Sequence, residues 1–141
     1  MDHPSSSTVQ QQAEAVLSGQ AERVLGVRFC PPPPALDGLK LDAFAEGDVP
    51  LCGEIFAHIG PSKPGQQRKL SHDMTKLLLA ERRLRCPCRK VIMVCDEKAV
   101  AHLKNGWQRE FADEFGIQVL VVEVGNELRR DLLQAQGRQY R

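Results

Sequence analysis

Five apolar residues in a row, Val91 to Cys95, stand between Lys90 and Asp96. A strand with one wet face alternates apolar and polar side chains. A strand with no polar position is apolar on both faces and belongs inside a covered sheet. Ile117 to Val124 reads as a second buried strand. Between the two lies Glu97 to Phe115, where Val100, Leu103, Trp107, Phe111 and Phe115 recur in helical phase, with Asn105-Gly106 as a place to bend or split the helix. A helical crossover between two strands favours parallel pairing. This one region therefore confines the chain to the α/β class.

The upstream half adds a hairpin. Leu39, Leu41, Ala43 and Ala45 alternate with Lys40, Asp42 and Phe44, and Leu51 to Ile59 alternates as well. Glu46 to Pro50 between them has turn chemistry. Before the hairpin, Val9 to Leu25 carries a helical stripe that Ser7 or Thr8 would cap and Gly26 would stop. Val27 to Cys30 is a short strand candidate, and the prolines that follow read as a stiff connection or a polyproline ligand. After the hairpin, Gln66 to Leu84 is a long helix with Leu70, Met74, Leu77, Leu78 and Leu84 as its apolar stripe. Glu127 to Tyr140 is a polar closing helix. The expected order is helix, three strands, helix, strand, helix, strand, helix, in a mixed sheet. A length of 141 residues suits one domain. Residues 1–8 are expected to be loose and residues 9–141 to form that domain.

The balance of 19 basic and 18 acidic residues neither demands nor excludes nucleic acid. No apolar window is long enough to span a bilayer, and the opening residues lack a secretion signal, so a cytoplasmic location without membrane contact is expected. Five cysteines, Cys30, Cys52, Cys86, Cys88 and Cys95, then read as free thiols. Cys86-Pro-Cys88 is tighter than the usual zinc knuckle. Trp107 reads as a core residue, with base stacking as the other reading. Arg129, Arg130, Arg138 and Arg141 make a basic tail that would touch phosphates or balance the last helix's dipole.

The stretch from Gly53 to Gly60 raises the functional question. On a strand, Glu54, Phe56 and His58 share one face. A turn centred on Asp48 sets Asp42 opposite Glu54, Lys40 opposite Phe56 and Phe44 opposite Cys52. Opposed Cβ atoms on an antiparallel pair are about 4.5–5.5 Å apart. Two carboxylates there repel unless a cation lies between them, and a hard ion such as Mg²⁺ is satisfied by one or two carboxylates with water and phosphate. On the following helix Gln66, Lys69, Asp73 and Lys76 form one polar stripe beside the apolar one. The same pattern also describes an acidic pair on a solvated hairpin face.

Asp42, with the run from Gly53 through Lys76 and Leu77, resembles the PD-(D/E)xK nuclease superfamily. More narrowly it is similar to a bacterial group there that has an aromatic-Ala-His strand, a Gly-x-x-Lys turn and an Asp-x-x-Lys-Leu helix. The resemblance covers most of the chain from Leu36 onward. It implies a restriction-endonuclease-like mixed sheet with an αβββαβ core flanked by helices. It implies Asp42 and Glu54 as catalytic metal ligands for Mg²⁺ or Mn²⁺, joined by an acidic residue of the first helix, Glu14 or else Glu22. The superfamily's lysine falls two residues after the Glu, where this chain has Phe56. Some members carry that lysine on the next helix, which points to Lys69 as nearer the hairpin, then Lys76, with Lys63 in the loop as a further candidate. His58, Lys63, Gln66 and Lys76 would contact substrate or phosphate, although His58 also reads as packing beside Phe56. The implied activity is metal-assisted phosphodiester hydrolysis on nucleic acid, DNA being favoured. The alternative is a catalytically inactive module of the same fold that binds nucleic acid or a protein.

Overall fold

The computed structural model describes residues 5–139. Helix α1 spans Ser6–Leu25 and is capped by Ser5, whose hydroxyl accepts the Thr8 N–H at 3.1 Å. Ser6 to Thr8 are therefore helical and not loose, and the cap falls earlier than Ser7 or Thr8. Gly26 ends α1 in the left-handed conformation, as its missing Cβ allows. Strands β1 (Ala43–Ala45) and β2 (Leu51–Phe56) form the hairpin. Helix α2 (Pro64–Leu84) leads to β3 (Arg89–Val94). A 3-10 segment (Glu97–Leu103) and α3 (Trp107–Glu114) then lead to β4 (Ile117–Val121), and α4 (Asn126–Gln139) closes the fold.

The sheet has four strands in the order β1-β2-β3-β4. The β1–β2 pair is antiparallel and the next two pairs are parallel. Helices α1 and α4 cover one face, where Val9, Ala13, Leu17, Leu128 and Leu132 meet Ala43, Leu51, Val91 and Met93. Helix α2 and the 3-10 segment cover the other, where Leu70, Met74, Leu77 and Val100 meet Phe44, Cys52, Ile92 and Val94. Val91 to Cys95 is buried throughout, as a strand covered on both faces requires.

Three expectations are corrected. Val27 to Cys30 is not a strand: the Cys30 N–H meets the Phe44 carbonyl at 2.8 Å, and the prolines that follow have no N–H with which to continue a ladder. Two strands, not three, thus precede α2 among the described residues. The helix expected over Glu97 to Phe115 is split before Gly106, as Asn105-Gly106 allows, into a 3-10 segment and α3, and the Gly106 φ of 84° breaks the helical phase. Trp107 consequently opens an eight-residue helix at its exposed end instead of filling the core; it is 61% exposed, and Phe115 is 44% exposed. The strands are also shorter than their alternation suggests, β2 ending at Phe56 and β4 at Val121. Tyr140 and Arg141 lie outside the described residues.

Candidate functional site

The hairpin ladder pairs Ala43 with Gly53 and Phe44 with Cys52. The next step beyond it sets Asp42 against Glu54, as the turn at Asp48 requires. Asp42 Oδ2 accepts the Ile55 N–H at 2.8 Å, so its side chain takes over where the backbone ladder stops. The ladder does not extend to Lys40 and Phe56.

Glu54 belongs to the file of Cys52 and Phe56, on the face that α2 covers, and it is 2% exposed. Lys76 of α2 brings its Nζ to 2.7 Å from Glu54 Oε1. The ammonium lies off the hydrogen-bonding direction, so Oε1 has an ionic neighbour but no aligned donor. Burial pushes the Glu54 carboxyl up to about 8. The neighbouring Asp42 carboxylate and the charge of Asp73 act in the same direction, while Lys76 opposes them. Asp73 is buried beside this pair, with Lys69 Nζ at 3.5 Å and Lys76 Nζ at 4.0 Å. The result is one row of alternating groups: the acidic pair, Lys76, Asp73, then Lys69 at the surface.

Lys76, not Lys69, is therefore the lysine that reaches the carboxylates. Lys69 has a side chain 67% exposed and meets only Asp73 among these acids. The reason is the difference in rise. Gln66 lies beside His58, at 3.4 Å. Running back from His58 to Glu54 covers about 13 Å of extended chain, and a helix needs about nine residues to match it. Counting from Gln66, that reaches the level of Lys76.

His58 has both ring nitrogens partnered. Gln66 Nε2 faces Nδ1, and Nε2 lies 3.2 Å from the Pro61 carbonyl, an arrangement that fits a proton on Nε2. Its ring stacks on Phe56 with centroids 5.4 Å apart and 7° between planes. Burial lowers its pKa. Packing accounts for this histidine more directly than substrate contact does. Gln66 is likewise engaged, its Oε1 accepting the Lys63 N–H at 2.8 Å to cap α2, while the Lys63 side chain is exposed at the helix start.

Glu14 is not brought to the site. It is exposed on α1, across the sheet from Glu54, and accepts a hydrogen bond from Gln10 at 3.2 Å. Glu22 is occupied at 2.7 Å by the Phe29 N–H. Among the described residues, no three His, Cys, Asp or Glu side chains converge as metal ligands. The donor set at the hairpin is the pair Asp42 and Glu54. Cys52 and Cys88 lie side by side and Cys86 is exposed, all as free thiols. Arg129 of the tail is tied to the Cys95 carbonyl at 2.8 Å and to Asp96 at 3.7 Å.

The side chains that hold the chain after β2 could not be picked from the sequence. Gln136 bonds both the N–H and the carbonyl of Ile59, at 2.9 and 2.8 Å, from 77 residues away. Gln10 bonds the Ala57 carbonyl at 3.1 Å and Asp96 the Gly60 N–H at 2.7 Å. No local spacing marks such long-range partners.

In comparison with known proteins, the chain matches no family model, no curated protein and no solved structure.

Proposed function

We propose that the chain is a metal-dependent phosphodiester hydrolase acting on nucleic acid, built on a restriction-endonuclease-like sheet. One observation carries this reading: Asp42 and Glu54 meet across the hairpin, and Lys76 approaches Glu54 at 2.7 Å. Mg²⁺ or Mn²⁺ suits the pair. Both ligands are hard oxygens, Glu54 Oε1 is buried without an aligned donor, and once Glu54 ionises its repulsion with Asp42 favours a cation between the groups. Such an ion, when bound, polarises a phosphoryl oxygen and lowers the pKa of an attacking water.

The chain's own groups have separable tasks. Asp42 is oriented by the Ile55 N–H. Glu54 must give up its proton to serve as a ligand, so metal uptake strengthens with rising pH toward about 8. Lys76, held between Glu54 and Asp73, sets an ammonium where charge grows on the phosphoryl oxygens. Phe56, at the usual lysine place, stacks on His58 instead, which leaves that charge to α2.

Cleavage of DNA and RNA by the purified chain with Mg²⁺ or Mn²⁺ tests the reading. Asp42→Asn, Glu54→Gln and Lys76→Met should each lower kcat by about 100-fold or more. Lys69→Met should lower it by less than about tenfold. Equal losses at Lys69 and Lys76 would refute the assignment of the lysine. The inactive-module reading draws on the elevated Glu54 pKa, because a protonated carboxyl has no need of a cation. Nucleic-acid binding with neither cleavage nor metal affinity would select it.

A further inference from the structure

Basic residues are concentrated around this site far beyond their average. Between Lys63 and Lys90 lie nine of the 19 Lys and Arg residues but two of the 18 Asp and Glu. Both acids already have cationic partners. Asp73 is buried against Lys69 and Lys76, and Glu81 is 2.7 Å from Lys90. Within α2 itself Arg68, Lys69, Lys76, Arg82 and Arg83 stand against those two acids, so the helix is net positive in a chain whose net charge is only +1.

The placement of these cations is regular. Lys69, Lys76 and Arg83 recur every seven residues, which puts them on one line of α2 about 10 Å apart. Exposed Arg68 and Arg82 widen the two ends of that line. The segment leading into β1 lies along the same side. Arg83 Nη1 donates to the Asp37 carbonyl at 3.0 Å, and further along the segment Asp42 meets Glu54 at the level of Lys76. Lys40 is exposed between them. The seam thus has a cationic group at each end and the acidic pair in the middle.

We infer that the seam between α2 and the segment leading into β1 is a track for a polynucleotide backbone, gripped on both sides of the acidic pair. The two grips are about 21 Å apart, about six base-pair steps along a duplex axis at 3.4 Å each, and fewer nucleotides of an extended single strand. A mononucleotide or free phosphate cannot bridge them. The arginine forks match phosphate oxygens in pairs. The bond lying over Asp42 and Glu54 is then internal to the strand. That last placement rests on the hydrolase reading; the track itself does not.

Fluorescence polarisation in EDTA tests the track without cleavage. The probes are a 16-base-pair DNA duplex, a 16-nucleotide RNA and a 16-residue polyglutamate peptide. At least one nucleic acid should bind, and log Kd should depend steeply on log salt. Which of the two binds identifies the source of the backbone. Lys69→Gln and Arg82→Gln should each reduce that slope by about one and weaken binding several-fold, and together by about two. Arg109→Gln, on α3, should change neither. Melting curves like that of the unaltered chain exclude misfolding as the cause. Three results would overturn the track: no nucleic-acid binding, a slope that neither variant moves, or equal affinity for the peptide. Binding with the expected slopes but no metal-dependent cleavage would sink the hydrolase reading and leave the track standing.

Discussion

Glu54 sits beside Asp42 and under Lys76 with almost no access to water. Burial and Asp42 favour the protonated carboxyl; Lys76 favours the carboxylate, and it is outweighed, so the group titrates near about 8 in place of its ordinary 4.5. A raised carboxyl pKa means that the folded chain holds the proton more tightly than the unfolded one. The stability this confers is complete below about 4.5 and is lost as pH rises through about 8. Glutamine mimics the neutral form at every pH. Glu54→Gln should therefore match the unaltered protein near pH 4.5 and melt several degrees higher at pH 9, a gain on the order of a few kcal/mol at most. Melting followed by circular dichroism at the two pH values, without metal, checks this. A lower Tm for the variant at pH 9 would show instead that the Glu54–Lys76 pair is net stabilising. The acidic pairing was legible in the sequence because alternation and a short turn together set a register. The choice between Lys69 and Lys76 was not, because the count of rise per residue needs Gln66 placed beside His58 first; nearness to the helix start misleads, because a helix advances less than half as fast as a strand.

At the level of elements, β2 shows how tightly the sheet is closed around the site. Gly53 is the neighbour of Glu54, and a Cβ added to it would collide with Met93 Cε and come within 3.3 Å of the Val91 carbonyl. The first contact is the tip of a flexible but fully buried side chain; the second is backbone. Gly53→Ala should cost about 1–3 kcal/mol through overpacking. Met93→Leu removes the clashing tip at a smaller cost of its own, so Gly53→Ala should be less damaging in that background. A double-mutant cycle by urea unfolding measures the coupling; strictly additive losses would place the strain in the backbone. None of this was legible, since a glycine in a strand signals close approach without naming what approaches. Buried β3 and the hairpin were legible from their patterns, whereas β4, expected to be buried, is an edge strand on which only Ile117 is buried and Val121 is 40% exposed. The missing first strand was not, because Val27 to Cys30 has strand composition and fails only for want of donors after it. Trp107 was misread for a related reason: an apolar phase counted across Gly106 assumes a continuous helix, and the break resets it.

Across the whole molecule, residues 57–60 are where both layers of the fold meet the candidate site. The ladder of β2 has ended there, yet the backbone is not left to water. Gln10 of α1, Gln136 of α4, the Cys95 thiol and Asp96 after β3 each bond one or more of its groups, while Gln66 of α2 holds the His58 ring. Side chains from four parts of the chain thus replace a missing strand, and they tie the helices on one face of the sheet to the residue that stacks on Phe56 on the other. Gln136 contributes most to this, because its amide satisfies both the donor and the acceptor of buried Ile59. Gln136→Ala leaves those groups unpaired and should cost about 2 kcal/mol. Native-state hydrogen exchange locates the loss. The Ile59 amide should exchange much faster in the variant, whereas the Gly60 amide, held by Asp96 at 2.7 Å, should keep its protection if the bonds act independently. Joint loss at Ile59 and Gly60 would mean that the segment opens as one unit. Unchanged exchange at Ile59 would mean that the Gln136 contact is not maintained in solution, and with it would go the mechanical link between the closing helix and the site.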